Sequence, residues 1–451
     1  MTSLLWLRQD LRLADQAALA AAVGEGPAIP VYVLDDESPR DWKIGAAQRW
    51  WLHHSLTALD ASLREKGSRL ILRRGRSEIE LAKLAAETGA SRVHAIRHAE
   101  PWWRNAERAV GEALDLALHD GNHLAPLGAI RNGGGDPYKI YSPFWRALSA
   151  AMPPPAPSPA PAAIPALERW PDSDRLPDWR LLPTKPDWAA RFGEDWRPGE
   201  AGAAAKLADF AAEVGDHEAR RNLPSEEGSS RLSPHLHFGE VSPARVWHDL
   251  AGKRDSEKFL KELAWRDYAA NLTQLYPAYG RENGSPKLNA LKWRSSKADL
   301  AAWRQGRTGY PIVDAGMRQL WATGWMHNRV RMIAASFLVK HLLIDWREGA
   351  RWFWDTLVDA DYGNNNVNWQ WIAGTGVDAN MFSRIMAPLL QSEKFDAADY
   401  IRTWVPELAD VPDVAIHDPD EAGCRPADYP AMIIGHREGR ERALAALAAT
   451  R

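Results

Sequence analysis

The chain has 451 residues, with 56 lysines and arginines against 59 aspartates and glutamates and a net charge of −3. Its single cysteine, Cys424, excludes an internal disulfide framework and any zinc or iron–sulfur site built on cysteines. No apolar run is long enough to cross a bilayer and the amino terminus lacks a secretory pattern, so we expect a cytoplasmic protein with no membrane partner. The 23 tryptophans outnumber the 10 tyrosines and 9 phenylalanines together.

The first part of the chain alternates short apolar runs with helical patterns. Strands are expected at residues 4–7, 29–34, 70–73, 93–96 and 123–127. Helices are expected at 15–23, 46–66, 77–88 and 102–119. This alternation predicts an α/β domain over residues 1–130, with a doubly wound parallel sheet of about five strands. No glycine-rich dinucleotide fingerprint follows the first strand, so this domain has a nucleotide-binding shape without the motif.

A proline-rich segment separates this domain from a helical one. Residues 152–168 contain seven prolines, which favours a semi-rigid linker within residues 131–199. From residue 200 to 451 we expect a larger all-α domain. Its helices are predicted at 201–214, 243–250, 257–275, 312–323, 326–341 and 351–358, with a short final helix near 438–449.

The small net charge conceals two opposed stretches. Residues 281–331 hold ten lysines and arginines against three acidic residues, and residues 393–430 hold ten acidic residues against three basic ones. A basic stretch of this kind can face nucleic-acid phosphates. Charge alone favours the simpler alternative of two solvated faces that offset each other.

A hydroxyl-rich turn precedes one predicted helix. Ser229, Ser230 and Ser233 bring three hydroxyl groups and several free backbone N–H groups to a helix start. Such a turn can hold a phosphate. Ordinary amino-terminal capping is the alternative, but it needs one serine and not three.

Two helical segments present polar and aromatic groups on one face. Glu262, Trp265 and Arg266 lie at i, i+3 and i+4, an arrangement that can grip a flat heterocycle. The alternative is a Glu262–Arg266 surface pair above a packed tryptophan. Asn328 and Met332 share a face in the same way, together with Arg331.

The neighbouring His327 has no partner at metal-ligand spacing, so we predict a structural role for it and no metal site.

The run 359–371 is rich in asparagine and aspartate. These side chains are costly to bury unless they are bonded, and their spacing does not suit a calcium loop. They can surround a polar heteroaromatic ring or form an exposed turn. The flanking Trp354 and Trp369 favour a buried setting.

Together these segments resemble the DNA photolyase/cryptochrome family along nearly the whole chain. The blocks that carry the resemblance occur in the family's order, namely WLRQDLRLAD, GSSRLSPHLHFGE, ELAWRDY, TGYPIVDAGMRQLWATGWMHNRVRM, DWREG and DYGNNNVNWQW. The resemblance implies an amino-terminal α/β domain for a light-harvesting antenna and a carboxy-terminal helical domain that binds FAD.

The resemblance also assigns residues to FAD. The residues implied around the cofactor are His217, Ser229, Ser230, Leu232, Ser233, Arg266, Asn328, Arg331, Asp359, Asp361 and Asn365. Asn365 would face the flavin N5 edge, and Arg331 and Asp359 would form an ion pair beside the flavin ring. His217 stands where members of the family often carry a tyrosine near the FAD phosphate. Trp369, Trp346 and Trp293 fall on the positions that pass an electron from the surface to the photoexcited flavin.

The pocket identities indicate which branch the chain resembles. Glu262, Trp265, Asn328, Met332 and Trp371 match the substrate pocket of pyrimidine-dimer photolyases. The implied activity is that of a deoxyribodipyrimidine photo-lyase, a carbon–carbon lyase. Excited FADH⁻ passes an electron to a cyclobutane pyrimidine dimer flipped out of DNA. A blue-light cryptochrome that binds FAD without repair is the alternative. The (6-4) branch uses two histidines where only His327 is present.

The implied partner is ultraviolet-damaged DNA, with the basic stretch 281–331 meeting its phosphates, and we expect a monomer. A second, antenna chromophore is also implied, methenyltetrahydrofolate or a deazaflavin, with a flavin or no antenna as the alternatives. Asn105 matches half of the family's folate-binding Asn-Glu pair, and Ala106 replaces the other half. The chromophore therefore stays open.

Overall fold

A computed structural model describes residues 1–377 and 382–450. Its amino-terminal part is built on five parallel strands, β1 (Ser3–Leu7), β2 (Ala28–Leu34), β3 (Ile71–Arg74), β4 (Arg92–Ile96) and β5 (Asp115–His119). The strand order is β3-β2-β1-β4-β5, so the winding direction reverses between β1 and β4. Both β1 and β2 are buried along their full length, as continuous apolar runs in a parallel sheet should be. The predicted doubly wound sheet is confirmed.

Helices connect these strands, and one prediction among them is wrong. They are α1 (Ala17–Glu25), α2 (Ala46–Glu65), α3 (Ser77–Thr88) and α4 (Pro101–Ala113). The helix predicted over 102–119 ends at Ala113, and the fifth strand is Asp115–His119 instead of 123–127. This edge strand is only half-buried, so it lacks the apolar run that marks the others. Leu124 instead packs in the helical region, where its N–H donates to Asp267.

The chain between the sheet and the helical region packs first on the helical region, through α5, and then on the sheet domain. It contains α5 (Tyr141–Ala150), a 3₁₀ turn at Leu176–Trp179 and α6 (Phe192–Asp195). In the proline-rich stretch, Ile164 is buried and its N–H donates to the Lys66 carbonyl oxygen. This stretch is therefore packed against the sheet domain.

The remainder of the described chain is helical, as predicted. The helices are α7 (Glu200–Glu213), α8 (His217–Arg220), α9 (Ser233–His237), α10 (Pro243–Leu250), α11 (Glu257–Leu275), α12 (Lys297–Arg304), α13 (Pro311–Thr323), α14 (Asn328–Ser336), α15 (Trp346–Thr356), α16 (Tyr362–Ala373), α17 (Pro388–Lys394), α18 (Ala398–Trp404), α19 (Asp413–Ile416) and α20 (His436–Ala448). In the described ranges, no helix has the length and apolar character needed to cross a membrane.

Local capping explains where the predicted helix bounds shift. The helix predicted over 326–341 begins at Asn328, because His327 caps it, and changes to π-helix over Phe337–His341. The helix predicted over 351–358 begins earlier, at Trp346, where the Asp345 side chain accepts the Arg347 N–H.

Candidate functional site

A cavity of about 630 Å³ lies among α9, α11, α14, α15 and α16. Its volume is in the range of cofactor and ligand sites in proteins. The predicted residues that line it are His217, Ser229, Ser230, Ser233, Glu262, Trp265, Arg266, Asn328, Arg331, Met332, Asp359, Asp361, Asn365, Trp369 and Trp371. Leu232 is absent from the lining because its side chain is fully buried in the neighbouring core.

The α11 face carries its three predicted groups into this cavity. Trp265 packs on the rings of Tyr141 and Tyr268, with centroids 4.7 and 5.1 Å away. Arg266 donates from Nη2 to the Leu236 carbonyl oxygen at 3.0 Å. The ion-pair partner of Glu262 is therefore not its helical neighbour Arg266.

Glu262 is held by two groups from the α8 region. Its Oε1 lies 2.6 Å from Nη2 of Arg221, and its Oε2 lies 3.2 Å from Nε2 of His217. The other ring nitrogen of His217, Nδ1, lies 2.9 Å from the Gly228 carbonyl oxygen. His217 thus connects the hydroxyl-rich turn to Glu262, and both of its nitrogens have protein partners. Its assignment as a cofactor ligand stays a prediction.

The ion pair expected between Arg331 and Asp359 is present. Nη1 and Nη2 of Arg331 lie 3.1 and 2.9 Å from the two oxygens of Asp359, a bidentate arrangement. The Ser233 hydroxyl donates to Asp359 at 2.6 Å, and Arg331 Nε donates to the Met326 carbonyl oxygen at 2.7 Å. The side chain of Asp359 is 2% exposed, so this carboxylate depends on its partners for charge compensation.

The asparagine-rich run is a helix, α16, and not an exposed turn. Asp361 caps it by accepting the Asn364 N–H at 2.7 Å. Asn365 is buried and donates to the Ala350 carbonyl oxygen at 3.0 Å, which ties α16 to α15. Asn366 and Asn368 bond to carbonyl oxygens one turn earlier in α16 itself. Asn364 and Asn365 are left on the cavity wall.

On α14 the predicted groups divide between structure and cavity. His327 caps the helix by accepting the Arg329 N–H at Nδ1, as its predicted structural role requires. Burial lowers the pKa of His327 to about 4, so the ring is neutral at pH 7. Asn328 is exposed at the cavity mouth and Met332 is half-buried beside it.

The three tryptophans predicted to carry electrons differ in burial. Trp369 lines the cavity and is buried, Trp346 is fully buried, and Trp293 is half-buried. Nε1 of Trp346 donates to Asn283 Oδ1 at 3.0 Å. Gly349 permits the close approach of Trp369 to α15, because a Cβ at residue 349 would lie 2.1 Å from Cη2 of that ring. One of the three therefore lies on the cavity wall, one in the core and one in a half-buried position. Their role in electron transfer stays a prediction.

The chemistry of the lining suits a large polar aromatic cofactor. Five buried polar atoms of lining residues make no hydrogen bond in the described chain, namely His237 Nδ1, Glu262 Oε1, Trp265 Nε1, Arg266 Nη1 and His327 Nε2, although Glu262 Oε1 is in ion-pair contact with Arg221. Buried polar groups are normally bonded, so their partners should come from a bound molecule. With the Arg331–Asp359 pair and the serine hydroxyls, these groups fit FAD.

Among the residues of the cavity wall that sequence reasoning missed are Tyr141, Arg221, Lys258 and Lys261. Lys258 and Lys261 could have been found, because they precede Glu262 and Trp265 on the same face of α11. Tyr141 could not, since it comes from α5, in the segment interpreted as a linker.

The basic stretch 281–331 is less positive in the fold than in the sequence. Arg318 bonds both oxygens of Glu407, so part of the basic stretch is neutralised by the acidic stretch itself. The ion pairs within the stretch are Arg281 with Asp41, Arg294 with Asp299, Arg304 with Glu348, Arg318 with Glu407, and Arg331 with Asp359. Five of its ten basic residues thus lie in ion pairs, and its contact with DNA phosphates stays a prediction.

Comparison with known proteins identifies the family that shares this architecture. The family profile for DNA photolyase matches residues 3–162, and the profile for the FAD-binding domain of DNA photolyase matches residues 259–449. A deoxyribodipyrimidine photo-lyase of Agrobacterium fabrum is 46% identical over 99% of this chain and 98% of its own length. The chain belongs to the DNA photolyase family. Its helical region is therefore an FAD-binding domain of that family.

The structural neighbours and the wider family agree with this assignment. A bacterial class III photolyase from Agrobacterium tumefaciens superposes with a TM-score of 0.95 at 46% identity, covering 100% of this chain and 97% of the other. Cryptochrome-1 of Arabidopsis thaliana is 34% identical over 98% of this chain and 69% of its own length. Family membership alone thus includes both repair enzymes and photoreceptors.

Proposed function

We propose that this protein is a light-driven photolyase that repairs cyclobutane pyrimidine dimers in DNA. One observation carries the proposal: Glu262, Trp265, Asn328, Met332 and Trp371 line the same cavity as the residues assigned to FAD. A lesion in this cavity would therefore lie against the cofactor. The names of the photolyase relatives point to the same activity.

The residues that would hold FAD are those of the inner cavity wall. Ser229 and Ser230 offer hydroxyl donors to phosphates, and the free Nη1 of Arg266 offers a charged one. The hydroxyl of Ser233 donates to Asp359 instead, so Ser233 would act on the cofactor by holding that carboxylate. The Arg331–Asp359 pair and Asn365 would bound the flavin ring. Bound FAD supplies the electron that opens the cyclobutane ring when light excites its reduced form, and it recovers that electron afterwards.

The residues nearer the cavity mouth would bind the lesion. Trp265 and Trp371 present indole faces on which a flipped-out pyrimidine dimer can stack. Glu262, 36% exposed and held by Arg221, is placed to bond a carbonyl or imide edge. Asn328 and Met332 would complete the contact, and closure by the dimer would exclude water from the cofactor.

Phosphate contact is assigned to cations beside the cavity. Arg221, Lys258 and Lys261 lie on its wall, and Arg329 lies at the start of α14. Arg329 belongs to the basic stretch 281–331, and the other three cations would add to it. Because phosphate contacts release counterions, we expect binding of damaged DNA to weaken as salt rises.

The remaining assignments complete the proposal. Residues 1–130 would form the antenna domain, 131–199 the linker and 200–451 the FAD-binding catalytic domain, with Trp293, Trp346 and Trp369 supplying electrons that keep the flavin reduced. Asn105 is exposed on α4, and Ala106 beside it is buried. The antenna is either methenyltetrahydrofolate or a deazaflavin, and we expect a cytoplasmic monomer.

The test is illumination of the purified protein with an oligonucleotide that carries one thymine dimer. We expect blue light to restore the intact thymines and the dark control to leave the dimer unchanged. Glu262→Ala should lower the yield of repair per absorbed photon while FAD stays bound, which absorbance measures. Glu112→Ala, at an exposed position on α4 of the sheet domain, is the matched control and should repair as the wild type does.

A blue-light photoreceptor is the second candidate, favoured by the similarity to Cryptochrome-1. It predicts light-dependent change in the flavin spectrum with no loss of thymine dimers under any illumination. That result would contradict repair and favour the photoreceptor.

A further inference from the structure

The contact between His217 and Glu262 fixes the position of a proton. A backbone carbonyl oxygen can only accept, so the 2.9 Å contact with Gly228 requires the proton on Nδ1 of His217. A neutral ring with Nδ1–H has only a lone pair at Nε2. That lone pair would face the carboxylate oxygen of Glu262 at 3.2 Å.

A contact of this length between two lone pairs is repulsive, so one proton must lie between Nε2 of His217 and Oε2 of Glu262. Arg221 Nη2 lies 2.6 Å from the other oxygen of Glu262 and favours its ionised form. The shared proton therefore belongs to His217, which is an imidazolium bonded to a carboxylate. Arg221, Glu262 and His217 together carry one net positive charge.

We infer that His217 is a positioning residue for repair, which supplies a positive charge to the lesion pocket through Glu262. This inference rests on the proposed function. When the dimer accepts an electron, its negative charge develops beside a cluster that carries one positive charge instead of none. Fixed charge at the point where charge develops stabilises that state without any rearrangement.

The surroundings of His217 support a role for this charge in particular. Its ring is buried, with the rings of Phe210 and Phe259 each 5.4 Å away on edge. Aromatic packing alone would be satisfied by phenylalanine or tyrosine at this position, and tyrosine is the residue that the family resemblance leads one to expect. The polar bridge from Gly228 to Glu262 is what histidine adds.

Other charged and titratable groups line the same cavity. They are Tyr141, Arg221, Lys258, Lys261, Arg266, His327, Arg331, Asp359 and Asp361. Burial raises the pKa of Tyr141 above its ordinary value and lowers the pKa of His327 to about 4. The protonation of His217 is therefore measured at the His217 nitrogens themselves.

The first measurement is nitrogen NMR of the FAD-loaded protein labelled at histidine, with the His217 signals identified by their absence from His217→Tyr. At pH 7 we expect both nitrogens of His217 to be protonated. In Glu262→Gln the amide can donate to Nε2, so the ring should become neutral. A neutral His217 in the wild type would overturn the inference whether or not the protein repairs DNA.

The second measurement is repair yield per absorbed photon at pH 7. His217→Tyr keeps the aromatic packing but cannot carry the positive charge, so its yield should fall below that of the wild type. FAD absorbance and circular dichroism confirm that the variant is folded and loaded, and His217→Gln replaces it if it is not. Equal yields in the variant and the wild type would overturn the role.

The two proposals fail in different ways. A wild type with a protonated His217 and no repair at any pH would contradict the proposed function, and with it the role in repair. A wild type that repairs dimers with a neutral His217 would contradict only the inference.

Discussion

The carboxyl edge of the sheet and the helical cavity are both lined by buried polar side chains, but they differ in the space they leave. At the sheet edge, where the strand order reverses between β1 and β4, the cavity is only about 30 Å³. Open α/β sheets commonly bind nucleotides at this point. The helical cavity, with about 630 Å³, is where FAD fits.

Side chains fill the sheet edge. Arg8 pairs with Glu107 at 2.7 Å, and Asp10 accepts from the Gln16 side chain at 2.5 Å. Arg12 donates to Asn122 Oδ1 and to the Gly239 carbonyl oxygen. A space of about 30 Å³ holds water and not a nucleotide. The nucleotide-binding topology of the sheet therefore does not indicate where the cofactor binds. The hydrogen-bond donors without a partner in the helical cavity do indicate it.

The largest effect should come from breaking the ion pair at the sheet edge. Arg8 is 1% exposed, so Arg8→Ala leaves Glu107 as an uncompensated buried charge. We expect the free energy of unfolding to fall by about 3–5 kcal/mol, measured by denaturant titration. The FAD content per folded molecule should be unchanged. Loss of FAD from the folded variant would contradict the separation between the two regions.

A similar change in the helical cavity should act on FAD as well. Arg331→Ala removes the partner of Asp359, and we expect the free energy of unfolding to fall by about 3 kcal/mol because Arg331 is partly exposed. FAD should be lost, which absorbance of the folded protein measures. Arg437→Ala, in a pair where the arginine is 92% exposed, is the control and should change neither quantity. Retention of FAD by Arg331→Ala would remove this pair from the cofactor site.

The next largest effect should come from the packing of Trp369 against α15, behind the cavity. In Gly349→Ala the new Cβ displaces the Trp369 ring, and we expect a loss of about 1–3 kcal/mol in the free energy of unfolding. Light-driven reduction of the bound flavin by an external reductant should also slow. Gly24→Ala, in the last turn of α1 with open space around it, is the matched control and should be neutral or slightly stabilising. If Gly349→Ala and Gly24→Ala had the same stability and the same rate of flavin reduction, the position of Trp369 beside α15 would not matter for either property.

The smallest effect concerns Asp267, which joins the two regions. Its Oδ1 accepts the N–H groups of Leu124 and Ala125, while Oδ2 is buried without a partner in the described chain. Burial raises its pKa to about 7. The folded state then holds a proton that the unfolded state releases near pH 4, so stability is lost as pH rises from about 4 to 7.

Between pH 6 and pH 7 this amounts to about 1 kcal/mol, measured as the change in the free energy of unfolding. Asp267→Asn carries no titratable group there and should flatten that part of the profile. A profile of unchanged slope in the variant would assign the pH dependence to another residue.

Local signals in the sequence were enough for most of the fold. The strands β1 to β4 were predicted because each is a continuous apolar run, and α3, α10 and α11 begin and end where the pattern indicated. The edge strand β5 was missed, since an edge strand is covered on one side only and needs no such run. The capped helix α16 was undecided, because its polar residues suited a turn equally well.

The lining of the cavity was predictable where it depended on short spacing and motif identity. The partners of those residues were not. The sequence suggested Arg266 beside Glu262, and the fold supplies Arg221 and His217 from the region of α8. It likewise suggested a single basic surface, and the fold joins Arg318 to Glu407 in the acidic stretch.

The sequence by itself determined the order of strands and helices, the family and the set of side chains available for chemistry, because these follow from patterns within a few turns of chain. Only the tertiary structure decided which charges neutralise each other, which polar atoms remain free for a cofactor, and which groups contact Glu262. Those properties depend on distances between segments that are remote in sequence. A few ångströms there change an electrostatic interaction by several kcal/mol when water is excluded.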